Sequence, residues 1–388
     1  MTQSLRADVE ALAAMTRDSA GIGERASSRW IAGRLEESGA HDVRVEPFRY
    51  QSTYAWAQGL HTAAGLLATR IRGVGGAALA LGALASLELE VSGRRQWLRR
   101  FLPAGEGANV VARIPATGAR VATLVLVAHH DAARTGMVFR TRVTEAGAAR
   151  RLKRRSIDPY VAPIAVPGFG LAAFGSLARG RAGALARRVA QALLGAGILA
   201  GLDIATERTV PGANDNATGV AALIALASRF AAEPLAGVDV VLVAPGCEES
   251  GMGGMAAYLA GHGGDLNPEN TLVLGLDTLG SGTPVVLEAE GALLRHRYRD
   301  EDLDLADAGA HRAGVEAPER WRIGGWTDAI LAVFAGLPAI SLLSVGPKGI
   351  FTHYHHPTDV PSHVDYDCVE RCVALAGAIA EELASTLA

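Results

Sequence analysis

The chain has 388 residues, 49% of them apolar and 20% charged, which suits one large α/β domain or two smaller ones. A net charge of -3 argues against a dedicated nucleic-acid binder. Three cysteines (Cys247, Cys368, Cys372) are too few for a disulfide framework and fit a reducing compartment. The first residues lack a basic start followed by an apolar core, so no secretory signal is read, and a cytoplasmic location, with membrane association left open, is the expectation.

Leu5 to Met15 carries helical apolar spacing, and a second helix is expected from Ile22 to about Ser38. His41 to Tyr50 alternates and reads as a strand, as do Ala108 to Ile114 and Ala122 to Ala128. Downstream, Gly219 to Phe230 is predicted helical, Val238 to Ala244 a buried strand, and Thr271 to Leu276 and Pro284 to Leu287 further strands. A short helix from Trp326 to Phe334 precedes a strand from Pro338 to Leu343, and the last helix runs from Tyr366 to about Leu387. Strands alternating with helices predict an α/β fold whose central sheet is mixed, mostly parallel, with helices on both faces.

Two insertions, 51–105 and 134–207, break the rhythm. Each contains two uncharged stretches around arginines, Arg70 and Arg72 in one and Arg179 to Arg188 in the other, and reads as a pair of apolar helices joined by an arginine-bearing turn. Basic clusters flank them, at Arg94 to Arg100 and Arg150 to Arg155. The apolar stretches are at or below the ~20 residues that cross a bilayer. They predict either a cap whose helices bury one another or a surface that touches membrane.

Five places share a pattern in which an apolar run ends and an acid or histidine follows. The first is His129-His130-Asp131, where His129 and Asp131 fall on one side of an extended chain and His130 on the other. A carboxylate beside a histidine can fix the tautomer that ligates metal. The second is Gly212-Ala213-Asn214-Asp215-Asn216, where Asp215 or Asn216 could equally cap the following helix. The third is Glu248-Glu249, the fourth Asp277, and the fifth His353-Tyr354-His355-His356-Pro357-Thr358-Asp359. Such groups gather at the carboxyl ends of strands in open α/β sheets. This many carboxylates suits two metal ions better than one, and histidine with carboxylate and no thiolate suits Zn²⁺, with Mn²⁺ or Co²⁺ as substitutes.

The ordered set resembles the M28 family of zinc metallopeptidases, which includes bacterial leucyl-type aminopeptidases and glutamate carboxypeptidase II. Thr327-Asp328 before Gly336-Leu337-Pro338 resembles a further family motif. The resemblance implies a zinc-exopeptidase-like fold spanning 1–388 and two Zn²⁺ ions. It implies that His129 and Asp277 ligate one metal and Glu249 and His355 the other, with Asp215 bridging. Glu248 would be the general base and proton donor, Asp131 would orient His129, and Asp359 would sit behind His355. His130, His356, Asp328 and Asp359 are candidates for substrate contact or for support behind the ligands. The implied activity is hydrolysis of N-terminal peptide bonds. The insertions depart from a compact family member, and because loops over strand ends often gate access they are expected to form a lid that limits the substrate to short peptides. A carboxypeptidase, an N-acyl amidohydrolase, a glutaminyl-cyclase-like enzyme and a non-catalytic relative are the alternatives. Neither residue preference nor oligomeric state is legible.

Overall fold

A computed structural model describes residues 2–140 and 147–386; Arg142 and Glu145 of the basic insertion lie outside the described residues. The strands are β1 (His41–Tyr50), β2 (Gly105–Ile114), β3 (Thr117–Val127), β4 (Ser156–Ile157), β5 (Ala236–Ala244), β6 (Thr271–Leu276), β7 (Thr283–Glu290), β8 (His296–Arg297), β9 (Glu319–Ile323) and β10 (Ala339–Val345). They form one sheet in the order β1-β2-β5-β3-β6-β10-β7-β9-β4, with β8 paired to β7. β5, β3, β6 and β10 run parallel, while β2 and β7 enter antiparallel on either side. The central strands are continuous apolar runs because both faces are covered.

The helices are α1 (Thr2–Ala13), α2 (Ile22–Glu37), α3 (Ala55–Ala68), α4 (Val74–Val91), α5 (Ala148–Arg154), α6 (Ala162–Leu177), α7 (Gly180–Thr206), α8 (Thr218–Ala232), α9 (Gly253–His262), α10 (Asp300–Ala313), α11 (Ala329–Phe334) and α12 (Tyr366–Thr386). α1, α2, α8, α10 and α12 make one layer, and α9 and α11 pack together on the opposite face. Cys368 and Cys372 are free thiols buried where α12 meets the core.

Register decides where the site forms. Val127 at the end of β3 lies beside Val243 of β5 and Gly275 of β6, so the chain after each of these strands emerges at one edge. His129, Glu248 and Asp277 leave the sheet there.

The insertions build a separate bundle. α3, α4, α6 and α7 pack side by side around their own core, which includes Leu87, Phe169 and Leu194. The approach is close: a Cβ on Gly65 would lie 2.5 Å from the Phe169 ring. The arginines expected in the second turn instead fall mostly within the first turns of α7, because the chain needs only Ala178 and Arg179 to reverse direction. β9 and α10 carry so many charges that their apolar spacing did not stand out, yet Trp321 and Ile323 of β9 point inward.

Candidate metal centre

Asp215 precedes α8 in a loop whose geometry depends on Gly212. That residue has φ +61°, and a Cβ there would lie 2.6 Å from the Asp215 carbonyl. Asn216, one residue before the N-cap Ala217, supplies the capping contact to the first turn of α8, its Oδ1 accepting the Gly219 N–H at 3.0 Å and the Thr278 N–H at 3.0 Å. Asp215 is thereby released for another purpose. Its Oδ1 lies 3.4 Å from His129 Nε2 and its Oδ2 3.3 Å from His355 Nε2.

Two donor clusters share Asp215: one joins His129, Asp215 and Asp277, the other Asp215, Glu249 and His355. A third group joins His129, Glu248 and Glu249, and the ligand atoms in each group lie within 4.8 Å of one another. His129 Nε2 is 3.8 Å from Asp277 Oδ1, and His355 Nε2 is 3.1 Å from Glu249 Oε2. Glu248 Oε2 lies 4.0 Å from His129 Nε2 and faces a cavity of about 500 Å³. His355 sits at φ +50° and Thr278 at +52°, left-handed backbone disfavoured for their side chains and concentrated around the donors.

Residues 199–380, which contain Asp215, Glu248, Glu249, Asp277 and His355, match the model of Peptidase family M28. That segment, a little under half of the chain, is similar to family M28. His129 and Asp131 lie before it. No curated protein matches the sequence. The fold is similar to an aminopeptidase from Aneurinibacillus sp. strain AM-1, at 13% identity and TM-score 0.58, covering 98% of this chain and 93% of that one. It is similar also to BSAP, a zinc aminopeptidase from Bacillus subtilis, at 14% and 0.57, covering 98% and 95%. A glutaminyl cyclase from Bacteroides thetaiotaomicron aligns at 14% and 0.55, covering 98% and 97%.

Around this centre, supporting groups fix the donors. Asp131 is fully buried; its carboxylate lies 3.4 Å from His129 Nδ1 and also accepts the N–H groups of Glu248 (3.0 Å) and Glu249 (3.1 Å). Asp359 corrects an expectation: it sits behind Asp215 rather than His355, accepting the N–H groups of Asn214 and Asp215 at 2.8 and 3.1 Å. His130 is not exposed to substrate. It points away from the cavity, with Nε2 2.9 Å from the Ala108 carbonyl and Nδ1 2.8 Å from Ser27 Oγ. His356 lines the cavity and pairs with Thr358 Oγ1 at 2.8 Å.

Several residues around the site carry no signal in the sequence. Arg17 is fully buried and donates to the carbonyls of His130, Pro211 and Gly212, tying the end of β3 to the Asp215 loop. Glu24 accepts three backbone N–H groups, from Ala20, Ala108 and Cys247, and so anchors the turn before Glu248. Tyr354 stacks on His355 at 3.8 Å between centroids, and Phe139 meets the same ring edge-on at 4.5 Å.

The donors fit a divalent cation. Asp131, Asp215, Glu248, Glu249, Asp277 and Asp328 converge where His129 and His355 are the nearest basic groups apart from Arg17 behind them. Burial pushes the Asp328 carboxyl up to about 8 and Glu249 to about 7, with Glu248 well above its usual range. Burial opposes charge on His355, but Glu249 and Asp215 outweigh it and raise the ring to about 10. Both Asp328 oxygens and Glu249 Oε1 are buried without a hydrogen-bond partner. Cations would supply the missing positive charge.

Proposed function

We propose that this protein is a two-zinc peptide hydrolase acting as an aminopeptidase. The observation that carries the reading is the division of the Asp215 carboxylate between two clusters, each with one histidine and one further acid. His129 and Asp277 would hold one ion, Glu249 and His355 the other, and Asp215 both. Zinc held there would polarise the scissile carbonyl and acidify a water. Glu248, which lines the cavity 4.0 Å from His129 Nε2, takes the proton of the attacking water and returns it to the leaving nitrogen as the C–N bond breaks. Asp131 accepts the backbone N–H of Glu248 and lies 3.4 Å from His129 Nδ1, where its charge favours the ring orientation that turns Nε2 to the cluster.

The helical bundle is proposed to rest on an anionic membrane. Most of the exposed large apolar side chains lie on it, including Trp56, Leu67, Val74, Phe174, Leu185 and Leu199. α7 is long and apolar enough to cross a bilayer, yet only 17% of its most apolar window is buried. Arg179, Arg181, Arg187 and Arg188 on and beside it match anionic headgroups.

A panel of aminoacyl, carboxy-terminal, N-acyl and N-terminal glutaminyl substrates, assayed with and without chelator, tests the activity. Chelator-sensitive release of amino-terminal residues is expected. Cyclisation of glutaminyl peptides without hydrolysis would replace this reading with the cyclase-like one.

A further inference from the structure

A second cavity, of about 250 Å³, runs from the metal centre into the helical bundle. Its inner end is formed by Glu248, Glu249 and His355, and Phe139, Tyr160 and Tyr354 line both this chamber and the first cavity. Its walls come from all four bundle helices: Val91 of α4, Ile164 and Phe169 of α6, and Leu194, Gly197 and Gly201 of α7, with Gly59 of α3 opposite. Away from the Glu248–Glu249 end, the charged side chains among the described lining residues are Glu90 and Arg99, which neutralise each other at 2.6 Å.

Such a chamber is poorly suited to a peptide. Each residue of an extended peptide brings an N–H and a C=O that need partners, and the mostly apolar walls, where Gln58 and Thr62 are among the few polar groups, offer too few. A hydrocarbon chain has no such groups and gains by leaving water. The bundle's outer face is itself apolar, so an amphiphile could pass from a lipid surface into the same helices.

We propose that the centre also deacylates long-chain N-acyl amino acids or peptides, with the acyl chain in this chamber and the amide carbonyl at the metal centre. The inference rests on the hydrolytic reading of that centre. Water adds its hydroxyl to the acyl carbon, the C–N bond breaks, and the nitrogen leaves with a proton passed through Glu248. The products are a fatty carboxylate and a free amine.

The test is hydrolysis of N-acyl-leucine by the metal-loaded protein, with acyl chains from acetyl to dodecanoyl, beside calorimetric titration with dodecanoate and acetate. Each added methylene should raise kcat/KM about three- to fourfold until the chamber fills, the factor that corresponds to ~0.8 kcal/mol per buried CH₂. Dodecanoate should bind one per chain, and acetate far more weakly. Gly201→Leu and Gly197→Leu should flatten the chain-length dependence and weaken dodecanoate binding at least about tenfold. Either site accepts a Cβ, whose nearest neighbours would lie at 3.9 and 3.6 Å, so both variants should fold. Flat dependence on chain length in the parent protein, or dependence that survives both substitutions, would overturn the proposal. Hydrolysis of aminoacyl substrates alone would also overturn it while leaving the aminopeptidase reading intact. If no amide of any kind were cleaved, the hydrolase reading would fall, and the dodecanoate titration would still decide whether the chamber takes a chain.

Discussion

The Asp131 carboxylate accepts the backbone N–H of Glu248 at 3.0 Å, so the residue that lies 3.4 Å from the His129 ring also fixes the proposed general base. One carboxylate thus couples the ends of β3 and β5. Asp131→Asn replaces an acceptor oxygen by a donor that faces one of these N–H groups. The expected result is a loss of about 10–100-fold in metal affinity or kcat/KM. Zinc titration and steady-state kinetics on the same preparation would check it; parent-like values for both would contradict the coupling.

Glu249→Gln should weaken one metal position and spare the other, because Glu249 belongs to the cluster with His355 and not to that with Asp277. Elemental analysis at limiting zinc should therefore find close to one ion per chain. Equal loss from both positions would mean that the two clusters are not separate.

Arg17→Met should destabilise the fold without touching the cavity. The guanidinium is fully buried, and its loss leaves the carbonyls of His130, Pro211 and Gly212 without their donor. A cost of about 3–5 kcal/mol is expected in denaturant unfolding, in line with removal of one partner from a buried charged network.

Glu290 gives a pH dependence at a residue outside the proposed ligand set, although the Asp277 charge adds to its shift. It is fully buried against Tyr298 and Thr327, and burial pushes its carboxyl up to about 8. A carboxyl raised on folding stabilises fully below its unfolded value of ~4.3, and this contribution is lost as pH rises through the folded value. The melting temperature of the parent protein should therefore fall from about pH 5 to pH 8 more steeply than that of Glu290→Gln. Parallel profiles would count against a raised Glu290.

Membrane contact should be visible as co-sedimentation with anionic vesicles, weakened by salt and by Leu185→Glu or Leu199→Glu. Both leucines are more than half exposed on α7, so the substitutions should not disturb packing. Self-association in place of vesicle binding would mean that a second copy covers this face.

The strand-end motifs were legible in the sequence because each follows a short apolar run, and parallel register carries all such ends to one edge. Asp215 was ambiguous between helix cap and ligand; the fold gives the cap to its neighbour Asn216. What stayed hidden depends on distance along the chain. Arg17 lies in the loop between α1 and α2 and Glu24 in the first turn of α2, and nothing near them in sequence reveals that their partners are β2 at 108 and the loops at 130, 211 and 247. Asp359 was expected behind His355, four residues away, but its partners are 144 and 145 residues distant. The chamber was invisible for the same reason, since its walls combine four helices from two insertions.

The most direct measurement of the central claim pairs metal content with turnover in Glu248→Gln. The substitution removes the proton acceptor and leaves Asp215, His129, Asp277, Glu249 and His355 untouched. Two zinc ions per chain in both proteins, with kcat reduced at least about 10²-fold in the variant, is the predicted result. An active variant, or fewer than two ions in the fully loaded parent protein, would contradict it.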